Sequence, residues 1–279
     1  MVDATLAKKT HALTRPVLFY GLFVIVTANA LAGQVLRTSQ AEGWISSFLQ
    51  LGGYSAIIWI ACAAGLALIS TDDLSADDAL HRADGWVAAV ILLLAILPMS
   101  TASAAGLTLL AFWAIFSTAR SGGIHRAGIV FLAVSVSFLW GRILLAIASR
   151  PILDIDAMVS GWLVGSHGTG NHIAFTDGSG YFVIAPGCSS LHNISLALVL
   201  WATVTQYYRI AINARALLVA LLAVAAAFGV NIIRLASLAH FPAHFDELHV
   251  GWGLPLFGWM SLIAIVAVVI GGFRKQILA

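Results

Sequence analysis

Long apolar segments follow one another along almost the whole chain, and they constrain its fold more than any other feature. Eight of them approach the roughly 17–25 residues that an α-helix needs to cross a bilayer, although the third and fourth are short. They lie near 16–36, 47–69, 85–98, 103–119, 127–148, 189–208, 217–239 and 253–273. Only 9% of the residues are charged, against about 25% in soluble domains, so a water-soluble core could not bury this much apolar surface. The sequence therefore predicts an all-α multi-pass membrane protein with about eight transmembrane helices.

The positions of lysine and arginine predict the orientation, because cytoplasmic loops are enriched in these residues. With a cytoplasmic N-terminus, ten of the 14 basic residues lie on the inner side: Lys8, Lys9, Arg15, Arg82, Arg120, Arg126, Arg209, Arg215, Arg274 and Lys275. An even number of spans places the C-terminus in the cytoplasm as well. We therefore expect a protein of the inner (plasma) membrane with two cytoplasmic termini, whose short extracytoplasmic loops form the functional site.

The first span and one predicted inner loop each have an unusual composition. Basic residues precede the first span and Ala28–Asn29–Ala30 resembles a signal-peptide cleavage site, but the apolar run is longer than that of a signal peptide, so we expect it to be retained. The inner loop at 71–85 contains five aspartates that the rule for basic residues does not explain: Asp72, Asp73, Asp77, Asp78 and Asp84.

A cysteine follows a helix-breaking dipeptide at the start of the sixth span. Pro186–Gly187 ends a polar stretch, and Ser189 or Ser190 is a candidate N-cap for the next helix. Cys188 is thus expected at a helix N-terminus, where free N–H groups and the helix dipole favour a thiolate. It is a candidate nucleophile; the alternative is a small apolar residue in a packed interface. Cys62 is predicted about 22 Å deep in the second span, too far away for a disulfide.

A polar stripe interrupts the seventh span near its outer end. Asn231, Arg234 and Ser237 are three residues apart, so they share one face of the helix. An arginine within an apolar span costs about 2.5–3.5 kcal/mol on insertion, and it usually faces the bundle interior or a water-filled cavity. The alternative is an arginine that extends to the outer headgroups.

Three histidines lie in the outer loop that follows this span: His240, His244 and His249. The spacing of the first two could bind a metal on one helix face, but Pro242 lies between them and breaks a regular helix. We therefore predict no metal site. The predicted topology brings the cysteine, the arginine and these histidines to the same side of the membrane.

These segments resemble the active-site motifs of the exosortase/archaeosortase family. The run Ser166–His192, with G-N-H-I leading through an extended stretch to the cysteine, resembles the region before that family's active-site cysteine. N-I-I-R-L-A-S at Asn231–Ser237 is similar to its N-x-x-R motif, and H-V-G-W-G-L-P-L-F at His249–Phe257 to its histidine motif. The chain departs from the family at Ser190, where the family usually has glycine two places after the cysteine.

The resemblance implies a membrane-embedded cysteine protease or transpeptidase that cleaves a C-terminal sorting signal of exported proteins through a thioester on Cys188. His249 would act as acid and base, Arg234 would stabilise the oxyanion or the thiolate, and Asn231 and His244 would orient or bind the substrate. Residues 151–279 would form the catalytic core and residues 1–150 accessory transmembrane helices of one membrane domain, 1–279. The implied partners are the sorting-signal helix, the lipid bilayer and an acceptor at the cell surface; we expect no cofactor and no nucleic-acid partner.

Two other classes of function are compatible with the same residues. A transporter or channel could use Arg234 and the outer histidines as an ion or proton path. An intramembrane serine protease could use Ser189, Ser190 or Ser195 with a histidine, and it would be insensitive to thiol alkylation. Hydrolysis and acyl transfer proceed through the same thioester, so the residues do not distinguish a protease from a transpeptidase.

Overall fold

Helices make up most of the protein in a computed structural model that describes residues 14–70 and 79–278. Their bounds are α1 (Arg15–Glu42), α2 (Trp44–Leu49), α3 (Ala56–Ser70), α4 (Arg82–Ile96), α5 (Ser100–Ser117), α6 (Gly123–Ser135), α7 (Gly141–Leu163), α8 (Ser190–Tyr207), α9 (Ala214–His240), α10 (Phe245–His249) and α11 (Gly253–Ile277). Several residues used to predict the orientation and the acidic loop lie outside the described residues: Lys8, Lys9, Asp72, Asp73, Asp77 and Asp78.

Five helical segments of the described chain are long and apolar enough to cross a membrane: Arg15–Glu42, Ser100–Ser117, Gly123–Leu163, Ala214–His240 and Gly253–Ile277. The protein is therefore a helical membrane protein, as the apolar pattern predicts. The other three predicted spans also contain helices, but α3 and α4 have 15 residues each, which corresponds to about 22 Å. The first two turns of α8 contain several polar residues. The count of eight spans and the orientation stay predictions.

The second predicted span, 47–69, is interrupted in the structure. A 3₁₀ turn at Leu51–Gly53 separates α2 from α3. Leu51, Gly52 and Gly53 have φ angles of 54°, 67° and 78°, a left-handed conformation that glycine adopts readily and that ends helices. The glycine pair therefore divides this apolar segment into two helices.

The fifth predicted span, 127–148, is part of a longer helical segment. α6 continues through a π-helical turn at Val136–Trp140 directly into α7, which has non-helical angles at Ala148 and contains Pro151. Proline lacks the N–H that an α-helix needs at this position, which explains the kink. Beyond the kink, α7 continues to Leu163 and reaches the residues that precede α8.

A small antiparallel sheet lies between α7 and α8, and the all-α prediction omitted it. Its strands pair in the order β1–β2–β3: β1 (Gly168–Thr169), β2 (His172–Ala174) and β3 (Tyr181–Val183). β1 packs directly on α7, because a Cβ atom on Gly168 would lie 1.9 Å from the carbonyl oxygen of Ala157. Glycine at this position therefore permits the contact between the sheet and the helix.

Two apolar clusters hold the helices together. The larger one joins α1, α3–α6, α8, α9 and α11, so it contains helices from both sides of the predicted division at residue 150, and that division stays a prediction. The smaller one lies between α7, the sheet, the end of α9 and α10, and Cys188 packs against it. Its buried members are Leu153, Ala157, Ile173, Phe182, Ile184, Leu235, Leu238, Ala239 and Leu248.

A buried ion pair connects α1 with α4. Nε of Arg15 lies 3.0 Å from Oδ2 of Asp84, and the indole N–H of Trp113 donates to Oδ1 at 2.8 Å. The backbone N–H of His81 donates to Oδ2 at 2.9 Å. One aspartate of the segment 71–85 thus joins α1, α4 and α5.

Candidate active site

Three segments that are distant in sequence meet at the candidate site. Cys188 is the last residue of a 3₁₀ turn, Pro186–Cys188, and one residue separates it from α8. His249 is the last residue of α10, while Asn231 and Arg234 lie in the second half of α9. The proline and glycine favour a turn after β3, so the thiol lies close to the beginning of α8.

The thiol of Cys188 contacts an imidazole. Its Sγ lies 3.7 Å from Nε2 of His249, within hydrogen-bonding distance for sulfur, and both side chains are half-buried. The ring of Phe245 stacks on that of His249, with centroids 5.2 Å apart. Phe245 also packs against Phe175 and Phe182. This aromatic group therefore holds the imidazole beside the sulfur.

Two polar residues of α9 contact the backbone of both members of this pair. The side-chain amide of Asn231 donates to the carbonyl of Cys188 at 3.1 Å, and Nη2 of Arg234 donates to the carbonyl of His249 at 3.5 Å. Asn231 and Arg234 are three residues apart, so they lie on one face of the helix. The N-x-x-R motif thus helps to set the position of the cysteine relative to the histidine.

A buried carboxyl group that the sequence analysis missed anchors the start of α8. Oδ2 of Asp156 accepts the backbone N–H of Ser190 at 2.9 Å, and Oδ1 accepts its hydroxyl at 2.7 Å. Asp156 is completely buried and satisfies one of the N–H groups that a helix leaves unpaired at its N-terminus. The sequence signal for this residue is an acidic side chain within a long apolar helix. Ser190, the departure from the exosortase pattern, is the residue that Asp156 binds.

Three successive N–H groups at the thiol donate to acceptors within the protein: Cys188 to the Ala185 carbonyl (2.8 Å), Ser189 to the Pro186 carbonyl (3.3 Å) and Ser190 to Asp156 (2.9 Å). These three N–H groups are therefore not free to stabilise an oxyanion beside Cys188, a task that a side-chain donor can perform. Arg234 is suited to this role, because it lines the adjacent cavity and its buried Nε has no hydrogen-bond partner among the described residues.

A cavity of about 420 Å³ lies beside the turn that carries Cys188. Asn231 and Arg234 line it on the α9 side, and α11 contributes apolar side chains such as Leu254 and Phe257. A second cavity, of about 440 Å³, shares Gly187 and His192 with the first. Volumes of this order are typical of ligand pockets, which combine apolar walls with a few polar groups.

Comparisons with known protein families, with curated proteins and with solved structures find no match. The assignment of chemistry therefore depends on the geometry of the residues that the sequence analysis selected. Of the two loop histidines considered for the site, the structure brings His249 to the thiol. His244 is exposed, and its Nδ1 lies 3.2 Å from Oε2 of Glu247.

The structure also shows the surroundings of the residues considered for a metal site, a disulfide or a serine nucleophile. Within residues 14–70 and 79–278, no group of three His, Cys, Asp or Glu side chains is arranged to bind a metal ion. Cys62 is buried in the larger apolar cluster, and both cysteines are free. Of the candidate serine nucleophiles, Ser190 donates to a carboxyl group and Ser195 to the backbone carbonyl of His192. Ser189 is buried, and its hydroxyl has no partner in the described part of the chain.

Proposed function

We propose that the protein is a membrane-embedded cysteine protease or transpeptidase that cleaves a C-terminal sorting signal of exported proteins. The observation that carries this proposal is the contact of 3.7 Å between Sγ of Cys188 and Nε2 of His249. A thiol next to a histidine is the arrangement by which cysteine enzymes generate a thiolate nucleophile. The resemblance of the three motifs to the exosortase/archaeosortase family supports the same chemistry.

The proposed reaction begins with transfer of the Cys188 proton to Nε2 of His249. The thiolate attacks the carbonyl carbon of the scissile peptide bond, and the resulting tetrahedral intermediate collapses as the C–N bond breaks. His249 returns the proton to the leaving amine, which leaves an acyl thioester on Cys188. Water or an acceptor amine then attacks the thioester, His249 removes its proton, and the thiolate leaves and is reprotonated.

Arg234 stabilises the oxyanion in this proposal. The N–H groups of Cys188, Ser189 and Ser190 already donate to acceptors within the protein, which favours a side-chain donor for the charge on the tetrahedral intermediate. The guanidinium group of Arg234 lines the same cavity as the turn with Cys188. Removal of one such donor typically lowers kcat by a factor of about 100–1000.

The substrate enters the first cavity from the lipid side in this proposal. Its lining combines Arg234 and Asn231 with apolar side chains of α11, which suits a peptide segment that emerges from an apolar helix. In the proposed topology of eight spans with cytoplasmic termini, this cavity lies near the outer face of the plasma membrane. A sorting signal that consists of a short motif, an apolar helix and a basic cluster would present its scissile bond at that depth.

Alkylation by iodoacetamide tests the thiol–imidazole pair in the full-length protein in detergent. We expect Cys188 to react faster at neutral pH than Cys62, which is buried among apolar side chains. His249→Ala should slow the alkylation of Cys188 by about tenfold or more, because a thiolate needs a nearby base or cation. His244→Ala is the matched control, since this residue lies in the same loop and does not contact the thiol. Equal rates in the wild type and in His249→Ala would contradict the proposed pair.

Cleavage of a tailed reporter in membranes tests the reaction itself. The reporter carries the C-terminal tail of a protein exported by the same cell, with a short motif, an apolar helix and a basic cluster. Cys188→Ala and His249→Ala should abolish cleavage, whereas Cys62→Ala should retain it. Cleavage that persists after complete alkylation of Cys188 would favour the serine-protease alternative.

A further inference from the structure

Two arginines of the membrane helices line a third cavity, and one of them, Arg142, also lines the second cavity. This cavity, of about 750 Å³, lies between α1, the turn Pro98–Met99 and the beginning of α7, and its lining includes Arg37 and Arg142. No carboxylate of the described residues lines it. Its other polar lining residues are neutral: Asn29, Gln34, Ser100 and Thr101. The cavity is therefore positively charged.

Neither arginine has an acidic partner in the described part of the chain. Nη2 of Arg37 donates to the side-chain oxygen of Gln34 at 2.9 Å, a neutral acceptor on the same helix. Arg142 makes no hydrogen bond or ion pair with the described residues. Both guanidinium groups lie close enough to the Tyr54 hydroxyl to interact with it electrostatically, so the two charges share one region. Both arginines are exposed, so an anion or water has access to these charges and can compensate them in a membrane protein.

The backbone around Arg142 is also unusual. The N–H of Gly141 donates to the carbonyl of Val136, five residues earlier, which closes the π-helical turn between α6 and α7. Such turns interrupt the regular spacing of a helix and occur frequently at functional sites. Arg142 is the next residue, so the turn determines which face of α7 carries this charge.

Both arginines lie close to one boundary of the membrane. The helical segment from Gly123 to Arg142 spans about 28 Å, which is close to the thickness of about 30 Å of the hydrocarbon core. Arg37 lies little more than one turn before the end of α1 at Glu42. In the orientation proposed above, the two side chains are near the headgroups of the outer leaflet.

We propose that this cavity binds the phosphate of an anionic lipid headgroup. The planar guanidinium group forms paired hydrogen bonds with phosphate oxygens. α5 has no side-chain cap, and Ser100 and Thr101 at its start line the same space and add N–H donors and hydroxyl groups. The next two N–H groups donate to the carbonyl of Met99. The acyl chains would extend along the helices into the bilayer. This site does not depend on the proposed peptidase activity.

Thermal unfolding of the full-length protein in an uncharged detergent tests the proposal. The probes are dihexanoyl-phosphatidic acid, dihexanoylglycerol, which lacks the phosphate, and inorganic phosphate. A ligand that binds the folded state raises Tm in a concentration-dependent way. The test variant is Arg37→Gln/Arg142→Gln. The matched control is Arg150→Gln/Arg274→Gln, because all four arginines are exposed and only the first two line the cavity.

We expect phosphatidic acid to raise Tm saturably in the wild type and in the control, and dihexanoylglycerol to have a much smaller effect. The apparent affinity of the test variant should fall roughly tenfold for each arginine replaced. Equal responses of the two double variants would overturn the proposal. An equal effect of dihexanoylglycerol would also overturn it, and this comparison in the wild type decides the matter if the test variant does not fold. Saturation by inorganic phosphate at a similar concentration would overturn the lipid assignment in favour of free phosphate.

Discussion

Replacement of Ser190 by alanine isolates the contact that anchors α8 behind the thiol. The substitution removes the hydroxyl that donates to Oδ1 of Asp156 at 2.7 Å and retains the N–H that donates to Oδ2. Both residues are buried, so water does not readily replace the lost donor. A buried acceptor that loses its donor costs about 1–3 kcal/mol. We therefore expect Ser190→Ala to lower the free energy of unfolding by this amount.

The effect is measurable as a change in Tm of the purified protein. At about 2–4 °C per kcal/mol for a chain of this size, Tm should fall by about 2–12 °C. Thr203→Val is the matched control on the same helix, because the buried hydroxyl of Thr203 donates to the carbonyl four residues earlier and such local bonds contribute little. A double-mutant cycle with Asp156→Asn should be non-additive, since both residues form one contact. An unchanged Tm in Ser190→Ala, or an equal fall in Thr203→Val, would refute this account of the anchor.

Three further substitutions test the residues around the pair. Arg234→Ala should lower kcat for reporter cleavage by about 100–1000-fold. Arg234→Lys should restore only part of this loss, because lysine retains the charge but lacks the planar guanidinium group with its paired N–H donors. Full recovery with lysine would mean that charge alone is sufficient. Asn231→Leu should lower the free energy of unfolding by about 1–2 kcal/mol, since the carbonyl of Cys188 loses its buried donor; an unchanged melting curve would show that this hydrogen bond contributes nothing. Gly168→Ala should sharply reduce the yield of folded protein, because the added Cβ would lie 1.9 Å from a backbone oxygen of α7. Gly229→Ala is the control and should fold normally, since its added Cβ would have no neighbour within 4 Å beyond the adjacent residues and backbone of its own helix. Equal yields would contradict the close packing of the sheet.

Local patterns predicted the helices well where the apolar runs are long and uninterrupted. α9 and α11 begin and end within a few residues of the predicted spans 217–239 and 253–273. The prediction was less accurate at 47–69, where consecutive left-handed residues divide the run. It also ended the fifth span at 148, because a proline at position 151 is compatible with either the end of a helix or a kink within it.

The candidate site could be predicted only in part. A cysteine after a proline–glycine pair and an arginine in an apolar helix are visible in the sequence, because each is unusual for its immediate surroundings. The role of Asp156 was missed, although an aspartate in an apolar helix is a comparable signal. Its partner Ser190 is 34 residues away, and no local pattern relates the two. The choice of His249 over His244 rested on the spacing of the residues that follow it, and the coordinates place His249 beside the sulfur.

The sequence by itself determined that the protein is a helical membrane protein, because so many apolar side chains with so few charges have no other favourable environment than lipid. It also determined which residue types were available for chemistry at the start of the sixth span and near the end of the seventh. Only the tertiary structure decided that Cys188 and His249, 61 residues apart in sequence, lie 3.7 Å from each other. That distance results from the packing of α7, the small sheet, α9 and α10 around one apolar cluster, and such packing depends on the complementary shapes of many side chains at once.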